Sequence, residues 1–110
     1  MKRIPLTDGT GAWFNLETAV KFDEGERHDG NNFISLATGS QWDHETLHYT
    51  SGGRWILNEY SQYQGALETY RQIDLDEAVA WLTANDRLDS KNMTTDIRGV
   101  IDDCVASREL

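Results

Sequence analysis

The chain has 110 residues, of which 38% are hydrophobic and 26% charged, so it is predicted to be one folded domain over residues 1–110. The net charge of −9 comes from 19 acidic and 10 basic side chains. Such a chain has little affinity for nucleic-acid phosphates or anionic membranes, so we expect no nucleic-acid or membrane partner. A charged partner would instead be basic.

Cysteine usage and the first residues bear on localisation. The single cysteine, Cys104, excludes an intrachain disulfide and is typical of a cytoplasmic protein. Residues 1–8 are basic at the start but have no apolar run behind them, so neither a signal peptide nor an anchor is expected. No stretch approaches the roughly 20 apolar residues of a membrane helix.

The first half of the chain predicts short strands. Residues 12–14, 20–22 and 33–37 have strand-like composition, and Asn15 is expected to cap a brief helical turn between the first two. The charged, glycine-containing segment 23–32 predicts a mobile loop. Residues 38–45 form a polar connection.

A hairpin is predicted around Ser51-Gly52-Gly53. A three-residue loop places Tyr49 opposite Trp55 and Leu47 opposite Leu57, with four large apolar side chains on one face. A two-residue loop would place Tyr49 and Trp55 on opposite faces of the hairpin, because a slip of one residue swaps the faces to which the side chains point. The other face is mixed and is predicted to be either solvated or a binding face; it carries His48, Thr50, Arg54, Ile56, Asn58 and Tyr60.

The second half predicts one more strand and two helices. The strand is 66–73, and Asp74 with Glu77 resembles a capping box for a helix ending near Asn85. A last helix starts near Thr95, and its apolar stripe includes Cys104, which is expected to be buried and unreactive. The predicted class is α+β: a mostly antiparallel β-meander with two C-terminal helices packed on it.

No constellation of residues predicts catalysis. His44 and His48 have the spacing of a helical metal chelate, but on a strand they are about 13 Å apart, too far for one zinc ion. There is no nucleophile elbow and no phosphate-binding loop. We therefore expect no enzyme, no metal and no cofactor.

Two features predict protein binding. The segments Ser40-Gln41-Trp42-Asp43 and Ser61-Gln62-Tyr63-Gln64 echo each other, and exposed aromatic residues are favoured interface anchors. Residues 73–110 hold nine acids and four bases, so the two helices present an acidic outer surface. The predicted protein-binding residues are Gln41, Trp42, Gln62, Tyr63, Gln64, Trp81, Asp102 and Asp103. Trp13, Tyr49 and Trp55 are predicted to lie in the core.

Three motifs carry a resemblance that covers about residues 10–85. They are Thr50-x-x-Gly53-x-Trp55-x-Leu57, Ser61-Gln62-Tyr63-Gln64-Gly65 and Glu77-Ala78-x-x-Trp81-Leu82-x-x-Asn85. These motifs resemble a group of small uncharacterised bacterial proteins that are often carried on mobile elements. The resemblance implies the fold and a bacterial origin, and it transfers no activity or catalytic residue.

The sequence therefore predicts a non-enzymatic, acidic interaction protein that acts by occupying a partner's surface. One specific form of this function is inhibition of a nucleic-acid-handling protein, with the acidic helices imitating a phosphate backbone. The alternative is a small-ligand or nucleotide-binding module that uses the open sheet face and the aromatic loops. A deep apolar pocket beside Trp42 or Tyr63 would favour the alternative.

Overall fold

A computed structural model describes all 110 residues as eight strands and two helices. The strands are β1 (Arg3–Pro5), β2 (Trp13–Asn15), β3 (Val20–Asp23), β4 (Glu26–Asp29), β5 (Asn32–Ser35), β6 (Asp43–Tyr49), β7 (Trp55–Ser61) and β8 (Thr69–Ile73). The helices are α1 (Leu75–Ala84) and α2 (Thr95–Ser107). A four-stranded sheet in the order β3-β6-β7-β8 is accompanied by the hairpins β1–β2 and β4–β5, and every strand pair is antiparallel. The predicted α+β class is confirmed.

The β6–β7 hairpin has the predicted three-residue loop. Tyr49 lies opposite Trp55 and Leu47 opposite Leu57. Gly53 closes the loop with a φ of 79°, in the left-handed region that glycine occupies without steric cost. The register places Leu47, Trp55 and Leu57 on one face, and all three are buried.

Both helices cover this apolar face of the sheet. Asp74 and Thr94 cap them by accepting hydrogen bonds from the Glu77 and Ile97 N–H groups, at 2.8 and 3.2 Å. The core beneath the helices combines sheet and helix residues and includes Phe22, Leu47, Leu57, Ala78, Val79, Leu82, Ile97 and Ile101.

Three details of the strand segments differ from the prediction. Residues 26–35 form the β4–β5 hairpin rather than a mobile loop, and Asp29 pairs with Asn32 around Gly30 at a φ of 63°. Asn15 supports a turn rather than a helical cap, because its Oδ1 accepts from the Glu17 N–H at 3.1 Å. The strand predicted from Ala66 begins only at Thr69.

The second face of the sheet is not open. The β1–β2 hairpin covers part of it, and the buried Phe14 ring lies 5.5 Å from the His48 ring, centroid to centroid. Thr50, Ile56 and Asn58 on this face are buried as well. Trp13, predicted to be a core residue, is 50% exposed, because its neighbour Phe14 points to the sheet and alternate residues of a strand face opposite ways.

The two edge strands of the four-stranded sheet are both bonded to other parts of the chain. Along β8, the Thr7 N–H donates to the Tyr70 carbonyl at 2.7 Å, and the Tyr70 N–H donates to Thr7 Oγ1 at 2.9 Å. Along β3, the Asn92 side chain donates to the Lys21 carbonyl and the Arg87 side chain donates to the Asp23 carbonyl, at 2.6 and 2.8 Å.

Neither α1 nor α2 is long and apolar enough to span a bilayer.

Candidate functional site

The two segments that echo each other in sequence meet in space. Trp42 precedes β6 and Tyr63 follows β7, and the antiparallel pairing brings both to the end of the hairpin remote from its turn. Their ring centroids are 5.9 Å apart with planes inclined by 43°. Both residues are exposed, Trp42 by 42% and Tyr63 by 59%. We call Gln41, Trp42, Gln62, Tyr63 and Gln64 the aromatic patch.

Local hydrogen bonds hold the aromatic patch in place. The Gln62 N–H donates to the Trp42 carbonyl at 2.9 Å and joins the two segments. Ser40 Oγ accepts from the Trp42 N–H at 3.0 Å, and Ser61 Oγ accepts from the Tyr63 N–H at 3.2 Å. Each serine thus fixes the backbone of the aromatic residue two positions later, which explains why both segments begin with serine.

A groove of about 260 Å³ adjoins this end of the sheet. Seven of its nine lining residues are polar, and among them are the three carboxylates Asp43, Glu45 and Glu59. Asp43 forms no ion pair, whereas Glu59 accepts from Arg71 Nε at 3.0 Å. Leu67, which is 87% exposed, adds an apolar contact surface at the rim. The groove is open and acidic rather than a deep apolar pocket.

Trp81, which was predicted to be a binding residue at the surface, is buried in the structure. Its side chain is only 8% exposed and belongs to the core cluster. The indole N–H donates to Glu45 Oε1 at 3.0 Å. Burial raises the pKa of Glu45, and this hydrogen bond opposes the rise. The expectation that Trp81 is exposed was wrong because α1 buries a wide face, and Trp81 lies at the edge of that face rather than on the solvent side.

The acidic helix surface is present. Asp102 and Asp103 are exposed on α2 and form no ion pair. Two of the four bases in this half are neutralised nearby, because Arg98 pairs with Asp89 at 3.7 Å and Arg108 pairs with Asp76.

Cys104 is only partly buried, so the prediction of a fully buried thiol was wrong. Its Sγ donates to Asp76 Oδ1 at 3.3 Å. The apolar stripe of α2 contacts the core at Ile97 and Ile101, while Val100 is 42% exposed. The stripe is therefore narrower than its spacing indicated, and its C-terminal end lies at the rim of the core.

A polar network lies on the second face of the sheet, which sequence reasoning described only as mixed. The Thr46 hydroxyl donates to Asn58 Oδ1 at 3.0 Å and lies 3.1 Å from His48 Nε2. Asn58 Nδ2 donates to Glu68 Oε1 at 3.0 Å. Burial, with a smaller contribution from Lys21, lowers the pKa of His48 to about 4.

The two histidines of β6 therefore have separate environments. His44 Nδ1 lies 2.7 Å from Glu24 Oε2, and the His44 ring lies 5.4 Å from the Tyr60 ring. His48 bonds to Thr46 instead. One ring nitrogen of each histidine, Nε2 of His44 and Nδ1 of His48, is buried without a hydrogen-bond partner.

Comparison of the chain with protein-family models, with curated proteins and with solved structures gives no match. The interpretation of the site therefore depends on its own residues.

Proposed function

We propose that this protein is a non-enzymatic binding module that docks the aromatic patch onto a basic surface of a partner protein. The observation that carries the proposal is the close packing of the Trp42 and Tyr63 rings. Two exposed aromatic rings from separate segments lie 5.9 Å apart on turns that their own serines fix. A surface that is already ordered loses little conformational entropy on binding, which favours affinity.

The chemistry around the rings favours a partner with lysine or arginine side chains. A guanidinium or ammonium group stacked on the face of tryptophan or tyrosine gains about 0.5–2 kcal/mol. Asp43, beside Trp42 in sequence, supplies an unpaired carboxylate, and Glu45 and Glu59 line the adjoining groove. The net charge of −9 attracts such a partner over a longer range and speeds association.

We expect the aromatic anchors to contribute more binding energy than the acidic helix surface does. Hot-spot residues of interfaces are enriched in tryptophan, tyrosine and arginine, and they dominate the binding energy. Asp102 and Asp103 are solvated charges, and ion pairs of this kind contribute about 0–1 kcal/mol each. We assign the helices the supporting role of long-range attraction. Inhibition of a nucleic-acid-handling protein remains one form of this function, since such proteins carry basic grooves.

The test starts with affinity capture from the native host, identification of the bound protein and measurement of its affinity for purified variants. Trp42→Ala together with Tyr63→Ala should abolish binding. Trp13→Ala is the matched control, because Trp13 is also a half-exposed tryptophan but lies on the β1–β2 hairpin. Asp102→Lys with Asp103→Lys should slow association and leave most of the affinity.

Salt separates the two contributions. Exposed charges more than a Debye length apart, about 8 Å at physiological salt, are screened, whereas apolar burial is not. We expect the association rate to fall with added salt while the dissociation rate barely changes. Binding that persists in the Trp42 and Tyr63 double variant, or equal loss in the Trp13 control, would refute the proposed surface. Tight binding to bare DNA or RNA at physiological salt would overturn the partner class.

A further inference from the structure

A second and larger groove lies elsewhere, between the β1–β2 hairpin and the turn of the β6–β7 hairpin. Its volume is about 640 Å³, within the range of about 300–1,000 Å³ that is usual for small-molecule sites. Half of its twelve lining residues are hydrophobic. The residues that matter for recognition are Leu6, Trp13, Phe14 and Ile56 on the apolar side, and Ser51 and Arg54 on the polar side.

We propose that this groove binds a small aromatic anion, with the Arg54 guanidinium taking the anionic group and the exposed Trp13 ring stacking on the aromatic body. The ligand class is a flat ring system of one or two rings that carries one carboxylate, sulfonate or phosphate. This site is separate from the aromatic patch, and the inference does not depend on the proposed protein partner.

Arg54 supplies the charge argument. It is exposed, and its side chain makes no ion pair, although the chain has nearly twice as many acids as bases. Arg71, Arg98 and Arg108 have carboxylate partners, whereas Arg54 shares the unpaired state with Arg3, Arg27 and Arg87 and is the only one of these four that lines the groove. A guanidinium presents a planar set of donors that fits carboxylate and phosphate oxygens in pairs, so an unneutralised arginine in a groove selects an anion.

The turn beside Arg54 carries backbone N–H groups that have no protein partner. Ser51 and Gly52 line the groove, and neither backbone N–H donates to another protein group. Thr50 fixes the turn, because its Oγ1 accepts from the Arg54 N–H at 3.0 Å and its carbonyl accepts from the Gly53 N–H at 2.9 Å. Free N–H groups next to a cation are the usual composition of an anion-binding turn.

The apolar side selects an aromatic body. Trp13 is half exposed, and the Arg3 guanidinium lies 4.9 Å from its ring centroid, which restrains the indole. Phe14 and Ile56 are buried and form an apolar base. A flat ring would gain offset stacking with Trp13 and apolar burial against this base. A hydrophilic anion such as free phosphate would gain only polar contacts with Arg54 and the neighbouring turn.

The experiment measures binding of three probes to the full chain by calorimetry and by backbone amide NMR shifts. The probes are 2-naphthoate, its neutral amide, and adenosine monophosphate, so that an aromatic carboxylate and a nucleotide are distinguished as sources. We expect at least one anion to saturate with a Kd below about 1 mM and to bind about tenfold tighter than the neutral amide. Shifts should concentrate at residues 12–14 and 50–54.

Two variants make the assignment specific. Arg54→Gln should weaken the anion about tenfold and leave the neutral amide unchanged. Arg27→Gln is the matched control, because Arg27 is another exposed arginine without an ion pair but lies on the β4–β5 hairpin. Unchanged melting temperatures would show that both variants fold. The proposal is overturned if neither anion saturates, if the amide binds equally well, or if the two variants lose affinity equally.

Discussion

Acidification should destabilise this protein through one side chain, His48. The imidazole lies in the polar network on the second sheet face and is 3% exposed. Burial lowers its pKa to about 4 from an unfolded value of 6.5. A group whose pKa is depressed on folding binds fewer protons in the native state, so protons favour the unfolded chain. The stability held by neutral His48 is thus present above pH 6.5 and is lost as the pH falls toward 4.

The magnitude follows from the two pKa values. A shift from 6.5 to about 4 corresponds to about 3 kcal/mol once both states are protonated. Between pH 7 and pH 5 the loss is about 2 kcal/mol. Lys21 contributes to the depression and Asp23 opposes it. Glu45 has the opposite effect on stability, because burial raises its pKa and its protonation on acidification removes an unfavourable buried charge. This contribution is the same in wild type and in His48 variants.

Urea denaturation at pH 7 and pH 5 measures the effect. With a slope of about 2 kcal/mol per molar, the wild-type midpoint should fall by about 1 M. His48→Gln removes the titrating group, so its midpoint should fall much less, whatever its own stability at pH 7. His28→Gln is the control, because His28 is exposed on β4 and should leave the wild-type dependence intact. Equal losses in wild type and His48→Gln would refute the argument.

Two substitutions and one thiol-labelling reaction test the core and its rim. Trp55→Ala should cost about 3–5 kcal/mol of unfolding free energy in urea, because the residue is 4% exposed, and a loss below about 1 kcal/mol would contradict the core assignment. Gly25→Ala should cost about 1–3 kcal/mol in the same assay, because the added Cβ would lie 2.7 Å from Leu36 Cδ1 and 2.8 Å from the Asn85 carbonyl oxygen; wild-type stability would show that this contact relaxes freely. Cys104 is half-buried, so it should react with a small thiol reagent in the native protein, but more slowly than in denaturant. Reaction that occurs only after unfolding would show instead that the thiol is fully buried.

The parts of the fold that the sequence predicted depend on local patterns. The register of the hairpin follows from apolar side chains that can share a face in only one loop length, and the α1 cap follows from Asp74 three residues before Glu77. The aromatic patch was predicted from composition, but its geometry was not, because the contact between Trp42 and Tyr63 depends on where β6 and β7 end.

The parts that the sequence did not predict depend on contacts between distant segments. Strand β4 is exposed at all four residues, so it has no apolar alternation that would reveal a strand. The β1–β2 hairpin consists of three-residue strands, and its position over the second sheet face results from Phe14 contacting His48 across 34 positions of the chain. No local pattern around Trp13 or Arg54 could therefore show that the two residues line one groove.

The bonds along β3 and β8 restrict how this molecule associates with other chains. An edge strand with free backbone groups is a template for another strand, and that route leads both to peptide capture and to aggregation. Here the Tyr70 N–H and carbonyl are held by Thr7, and the Lys21 and Asp23 carbonyls are held by side chains of the segment after α1. A guest strand would have to displace these bonds first. Edge-to-edge joining of the four-stranded sheets of separate molecules is therefore disfavoured at these positions, and the side chains of the surface are left as the means of recognition.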